Sequence, residues 1–295
     1  MTDLRNADNG ADESVEVAGD IETAPPLIAG VPRALSPLVR RIVAPNPGKM
    51  TGPGTNTYLV GIDEIAVIDP GPDMAEHIEA IVGCGGDRIR WILCTHTHLD
   101  HSPGAAALKA ATGAKVMAFG NRDGLKVDKR IGQGAQIEAT EFRLTAQHTP
   151  GHASNHLCYL LEEERMLFSG DHVMQGSTVV IKPPDGDMAA YLDSLAKVKA
   201  LRLRSIAPGH GQLIEDPDQV IDWYIAHRLE READVIAALG AAGSAKISAL
   251  VETIYVGLDP ELVPMAQRSV HAHLLKLAAE GRATGRTLTG TWTSA

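Results

Sequence analysis

With 295 residues and 44% apolar content, the chain can fill one large core or a large core plus a small one, which excludes a disordered or fibrous protein. No apolar run approaches the roughly 20 residues needed to span a bilayer, and a formal net charge of −10 argues against bulk electrostatic capture of polyanions. The three cysteines, Cys84, Cys94 and Cys158, lie in apolar stretches and read as small buried hydrophobes of a reducing compartment, not as a disulfide framework.

Residues 1–24 hold seven acids and one arginine, so −6 of the formal −10 sits there and −4 is left for the rest. Such a segment buries too little apolar surface to offset its ordering entropy and reads as a mobile tail. It lacks the basic region and apolar core of a secretory signal, and its acids exclude a mitochondrial transit peptide, so the expected location is cytoplasmic.

From residue 25 the texture is mixed α/β. Strand-like runs "NTYLVG", "IAVIDPG", "RWILCTHT" and "AKVMAFG" alternate with helix-like "MAEHIEAIVGC" and "PGAAALKAATG". A second group follows: "FRLTAQHTPGH", a hairpin "HLCYLLEEERMLFSGD" turning at its acidic "EEER", a helix around "MAAYLDSLAKVKAL", and the strand-to-loop passage "SIAPGHG". After "PDQVIDWYIAHRLEREADVIAALG" come "SALVETIY" and "VHAHLLKLAAEG" at helical periodicity, then a Thr/Gly-rich ending "RATGRTLTGTW". Helix, helix and ribbon suggest a small winged-helix-like module. The chain therefore divides into the tail, a catalytic domain over 25–225 and a C-terminal domain over 226–295.

The stretch "THTHLDHSPG" concentrates ligating atoms directly after an apolar strand. Alternate residues of an extended chain face the same way, so His96 and His98 can hold one ion together, while Asp100 and His101 reach a neighbouring point. His152 in "HTPGH", Asp171 in "FSGDH" and His210 in "APGHG" also fall where loops should follow strands, each beside a glycine. These seven side chains suit two zinc-like ions sharing one carboxylate.

The same motifs closely resemble the metallo-β-lactamase superfamily. "THTHLDH" matches its H-x-H-x-D-H signature, and "HTPGH", "FSGDH" and "APGHG" match its later ligand motifs in order, over residues 30–225. The resemblance implies an αββα sandwich, two sheets face to face with helices outside and the metals at one sheet edge. It also implies that His96, His98 and His152 hold the first ion, that Asp100, His101 and His210 hold the second, and that Asp171 bridges them. Zinc β-lactamases typically carry Cys or Ser at the position of Asp171, which argues against antibiotic hydrolysis. Flavodiiron reductases place Glu at the position of His98, which favours zinc, with iron or manganese as the other ions such ligands accept. Only 39 residues separate Asp171 from His210, too few for the inserted domain of the large messenger-processing nucleases.

Among compact hydrolases, "NPGKMTGPGTNTYLVG", "IDPGP", "FSGDHVMQGSTVVIKPPDGDMAAYLDSL" and "HRLERE" look most like the β-lactamase-like protein 2 group. That resemblance implies a C-terminal winged helix and, for animal members, endonuclease activity on single-stranded RNA. Two ions, two carboxylates and a bridging hydroxide leave about one positive charge at the centre, compatible with a phosphodiester, and Asp100 is assigned the orientation of that hydroxide. The alternative is a thioester, lactone or other carboxylic-ester hydrolase similar to hydroxyacylglutathione hydrolase, although this chain lacks a clear match to that family's glutathione-binding tail. A non-enzymatic, regulatory reading is disfavoured because all seven ligands are present.

Asn56, Ser177 and Thr178 are candidate substrate contacts, with turn formation as their simpler account. His148, His156 and His172 are expected to support ligands or structure. In the tail module, Arg268, His271, His273 and Lys276 could meet nucleic acid, yet residues 233–295 hold five acids and five bases. That neutrality makes the module a wall of the substrate cleft or a homodimer contact as readily as a nucleic-acid surface.

Overall fold

The structure, a computed structural model, describes residues 26–295; the acidic segment 1–24 lies outside the described residues. The first sheet contains β1 (Arg33–Ala34), β2 (Val39–Val43), β3 (Asn56–Val60), β4 (Ile65–Ile68), β5 (Ile89–Leu93), β6 (Lys115–Ala118) and β7 (Lys129–Arg130), in that spatial order. Pairing is antiparallel up to β4 and parallel from β4 to β7. Parallel strands need crossovers, and α1 (Ala75–Gly85) and α2 (Gly104–Thr112) supply two of them. Because helices cover the outer face, β3 and β4 are buried along their whole length, which explains their unbroken apolar runs.

The second sheet is formed by β8 (Gln136–Glu138), β9 (Arg143–His148), β10 (Leu157–Leu161), β11 (Met166–Gly170) and β12 (Ser205–Pro208), ordered β12-β11-β10-β9-β8. The expected hairpin is β10–β11, antiparallel with Tyr159 opposite Phe168. Outside this sheet lie α3 (Met188–Lys199) and the first half of α4 (Pro217–Ala242). Between the sheets sits a core that includes Tyr58, Leu93, Phe142, Leu144, Tyr159 and Phe168, with the Tyr58 and Phe168 rings 5.1 Å apart. Two further cores bind each sheet to its helices, so the architecture is αββα.

A winged-helix domain completes the chain: β13 (Ser244–Lys246), α5 (Ile247–Ile254), α6 (Val263–Ala279), β14 (Ala283–Thr284) and β15 (Thr291–Ser294). Its core gathers Val235, Leu239, Leu250, Val270, Leu274 and the fully buried Trp292. The division drawn at 225/226 falls inside α4. Val220, Ile221 and Tyr224 of that helix belong to the catalytic-domain core, whereas Val235 and Leu239 belong to the winged helix, so one continuous helix is shared by both cores. Asp216 caps its start by accepting from Gln219 N at 3.0 Å, with Pro217 in the first turn.

Candidate metal centre and substrate cleft

The C-terminal ends of β5, β9, β11 and β12 meet at one rim, where both sheets contribute loops. The loop after β5 turns tightly, with His101 N and Ser102 N both donating to His98 O before α2 begins. It carries His96, His98, Asp100 and His101; the loop after β9 brings His152, that after β11 Asp171, and that after β12 His210.

The seven side chains fall into two groups, His96/His98/His152/Asp171 and Asp100/His101/His210/Asp171, each with ligand atoms within 4.8 Å of one another. Asp171 belongs to both. Its Oδ1 lies 3.2 Å from His101 Nε2 and 3.4 Å from His210 Nε2, and its Oδ2 lies 3.6 Å from His152 Nε2.

The hydrogen bonds at the back of the imidazoles decide what faces the centre. His101 Nδ1 donates to Asp69 Oδ2 at 2.8 Å, His152 Nδ1 to Val180 O at 2.7 Å, and His210 Nδ1 to Gly54 O at 3.2 Å. Thr95 Oγ1 gives its hydrogen to Asp69 Oδ2 at 2.8 Å and so accepts from His96 Nδ1 at 3.0 Å. Each of these four rings therefore presents Nε2 to the centre, while His98 presents Nδ1, 2.9 Å from His96 Nε2 and 3.0 Å from His152 Nε2. Ring nitrogens converging in this way need a proton or a metal cation between them.

Buried atoms point the same way: His101 Nε2, His210 Nε2 and Asp171 Oδ1 have no well-aligned hydrogen bond and face one another, at 3.2 and 3.4 Å. Gly209 preserves the cradle, since a Cβ there would stand 2.8 Å from both Asp171 Oδ1 and His101 Cε1. Imidazole nitrogens and carboxylates in this ratio fit zinc-class ions, which when bound supply Lewis acidity and acidify a bound water.

Electrostatics separates the two groups. Burial pushes the His96 and His98 pKa values down, leaving both neutral. Burial also opposes charge on His101 and His210, but nearby carboxylates outweigh it. Asp171, Asp100 and Asp69 hold His101 well above the usual histidine range, and Asp100 and Asp171 raise His210 to about 9. Burial works against ionisation of Asp171 too, and His101 and His210 overcome it, keeping its carboxyl well below the usual range.

Sequence reasoning missed Asp69, which follows β4 in "IDPGP". Its backbone takes φ 51, and its buried carboxylate accepts from Thr95 N, Thr95 Oγ1 and His101 Nδ1. An acid between an apolar strand and a Pro-Gly turn was the available signal.

Asn56 must be reassigned. It is fully buried, and its Nδ2 donates to Pro208 O and Gly211 O, both at 2.9 Å, so it clamps the loop bearing His210 and does not face substrate. Ser177 and Thr178 do line the cleft. The four tail residues do not share a face: Arg268 lines the cleft, His273 is fully buried, Lys276 pairs with Glu232 and Glu280, and His271 packs edge-on against Trp292. His148 stacks on Phe119, while His156 and His172 are buried behind the ligands.

The cleft, about 1060 Å³, passes over His98, Asp100, His152 and Asp171. Met50, Leu99, Met174 and Val179 from the catalytic domain and Leu262 and Met265 from the winged helix form its apolar walls. Two ligand groups sharing a carboxylate beneath a substrate-sized cleft, on an αββα frame, are the arrangement of a metal-dependent hydrolase. Residues 50–210 match the metallo-beta-lactamase superfamily and residues 247–292 the beta-lactamase associated winged helix domain. The chain belongs to the metallo-β-lactamase superfamily.

Among its relatives, an atrochrysone carboxyl ACP thioesterase of Cryptosporiopsis sp. (strain 8999) is 30% identical over 275 residues, covering 87% of this chain and 84% of that one. A beta-lactamase-like protein 2 homolog of Drosophila melanogaster is 32% identical over 278 residues, covering 87% of this chain and 92% of the relative. A beta-lactamase domain protein from Burkholderia ambifaria shares the fold at a TM-score of 0.78 and 22% identity, covering 93% of this chain and 96% of that one. No described helix is long and apolar enough to cross a membrane.

Proposed function

We propose that the protein is a dinuclear zinc-dependent hydrolase of acyl thioesters. The observation that carries this reading is the apolar wall, built by both domains, directly above the two ligand groups. An acyl chain can lie against that wall with its carbonyl over the ligands. The name of the Cryptosporiopsis relative, a thioesterase, supports the same reaction class.

Single-stranded RNA, the substrate expected from the sequence, draws less support. Its bases stack on aromatic rings or guanidinium planes, and the described lining of the cleft contains no Phe, Tyr or Trp, leaving Arg122, Arg268 and the candidate ligands His98 and His152 as the flat groups.

In the proposed reaction water adds its oxygen to the thioester carbonyl, the C–S bond breaks, and the leaving sulfur takes a proton, giving a carboxylic acid and a thiol. Asp100 is partly exposed to the cleft, and its Oδ2 lies 3.3 Å from His210 Nε2 and 3.5 Å from His101 Nε2. Its role in this proposal is to orient the attacking water and accept its proton. Cytoplasmic residence belongs to the same proposal, supported by three free cysteines, two of them buried.

The test offers zinc-loaded protein an acyl thioester panel, lactones and single-stranded RNA side by side. Thioesters should give the highest kcat/KM, and Asp100→Asn should cost about 100-fold or more in kcat. Cleavage of RNA with no thioester turnover would overturn the reading in favour of the nuclease.

A further inference from the structure

Cations and carboxylates lining the cleft are equal in number, four of each, but they are unevenly paired. Four cationic side chains line it: Lys49, Arg122, Lys182 and Arg268. Arg122 is neutralised by Asp185, 2.8 Å from its Nη1, and by Asp123, 3.3 Å from its Nε. Lys49 pairs with Glu261. The remaining carboxylates of the lining, Asp100 and Asp171, face the metal-ligand groups. No acid of the lining is left for Lys182 or Arg268, and neither forms an ion pair with any described residue.

These two cations come from different domains and stand on braced backbone. Lys182 O accepts from Gly186 N at 2.8 Å, and the segment leading to Lys182 is held from behind. Tyr224 and Arg228 of α4 donate to Ser177 O and Val179 O, and His152 donates to Val180 O. Arg268 belongs to the stripe Leu262, Met265, Arg268, spaced three apart along the start of α6, so that helix presents apolar surface and then a guanidinium to the same cleft. A planar guanidinium and an ammonium without an ion-pair partner suit an oxyanion.

Resting on the thioester-hydrolase reading above, we propose that Lys182 and Arg268 form an oxyanion subsite separate from the metal ligands. The substrate is then an anionic acyl thioester, and the winged-helix domain supplies part of its binding site. Phosphate and carboxylate share the chemistry this pair recognises. The anion can sit on the thiol half or on the acyl half of the substrate.

The experiment uses the full zinc-loaded chain and matched substrate pairs. S-butyryl 4′-phosphopantetheine against S-butyryl pantetheine tests a phosphate on the thiol half, and S-succinyl against S-butyryl pantetheine tests a carboxylate on the acyl half. In at least one pair the anionic member should have about a tenfold higher kcat/KM, mainly through KM, with the preference shrinking as salt is raised. Lys182→Gln with Arg268→Gln should bring that ratio to near one, and the charge-keeping Lys182→Arg with Arg268→Lys should retain most of it. Zinc content and far-UV circular dichroism, expected to match the wild type, establish that the variants are folded.

Wild-type enzyme that turns over neutral and anionic members of both pairs equally would overturn the subsite while leaving the thioesterase reading intact. So would a Gln variant that keeps the full preference. Failure on every thioester would overturn both.

Discussion

Asp69 Oδ2 lies 2.8 Å from His101 Nδ1 and the same distance from Thr95 Oγ1, so one buried carboxylate orients ligands in both metal groups. It fixes the His101 ring directly and the His96 ring through the threonine hydroxyl. Asp69→Asn keeps the shape but loses the charge and one acceptor. Zinc affinity, measured by competition with a chelator, should fall about 10- to 100-fold. An unchanged affinity would show that the Asp69 carboxylate does not tune the ligands.

Because Asp171 belongs to both ligand groups and His210 to one, their removal should differ in kind. Elemental analysis under saturating zinc should find about two ions per wild-type chain and about one in His210→Ala, with occupancy falling at both sites in Asp171→Ala. At most one tightly held ion in the wild type would count against the dinuclear arrangement.

The pH dependence of zinc binding follows from the carboxylates around His210. With its pKa raised to about 9, His210 carries a proton at neutral pH in the metal-free protein, and His101, also raised, carries another. An ion entering this group must displace those protons, so affinity should increase with pH and stop increasing once the histidines have titrated. Calorimetry in buffers of different ionisation enthalpy should detect proton release near pH 7. Binding without proton release would mean that His210 and His101 are already neutral in the metal-free protein.

The ligands were legible in sequence because metal chemistry demands particular side chains at strand ends, and "THTHLDH", "HTPGH", "FSGDH" and "APGHG" display them locally. The sheets were legible for a related reason: strands buried on both faces, such as β3 and β4, write themselves as apolar runs. Other features depend on partners distant in sequence. Asn56 reads as a substrate contact or a turn residue, but its hydrogen-bond partners lie 152 and 155 positions away, and those contacts place it behind the site. Asp69 reads as an ordinary turn acid until Thr95 and His101 fold over it. The domain division misled because α4 has a single helical pattern while its two halves enter different cores. In α6, Arg268, His271, His273 and Lys276 look like one basic group, although 3.6-residue periodicity distributes them around the helix.

The shared helix leads to a prediction about the winged-helix domain. Glu232 of α4 is buried, with Lys276 Nζ 2.9 Å and His273 Nδ1 3.6 Å from its Oε2, tying α4 to α6. His273 first and then Lys276, against the cost of burial, hold its carboxyl at about 2, below the ordinary 4.5. A depressed folded-state value means that the contribution is fully present above 4.5 and is lost as pH falls from 4.5 toward about 2. Glu232→Gln should therefore lower stability at neutral pH by about 1 to 2 kcal/mol, because it removes the buried carboxylate and leaves Lys276 only the more exposed Glu280, 2.7 Å from its Nζ. Thermal unfolding of wild type and variant, followed from neutral pH to about pH 3, should show the gap in midpoint narrowing as acid protonates Glu232 in the wild type. A gap independent of pH would mean that shape, not charge, at this position holds α4 and α6 together.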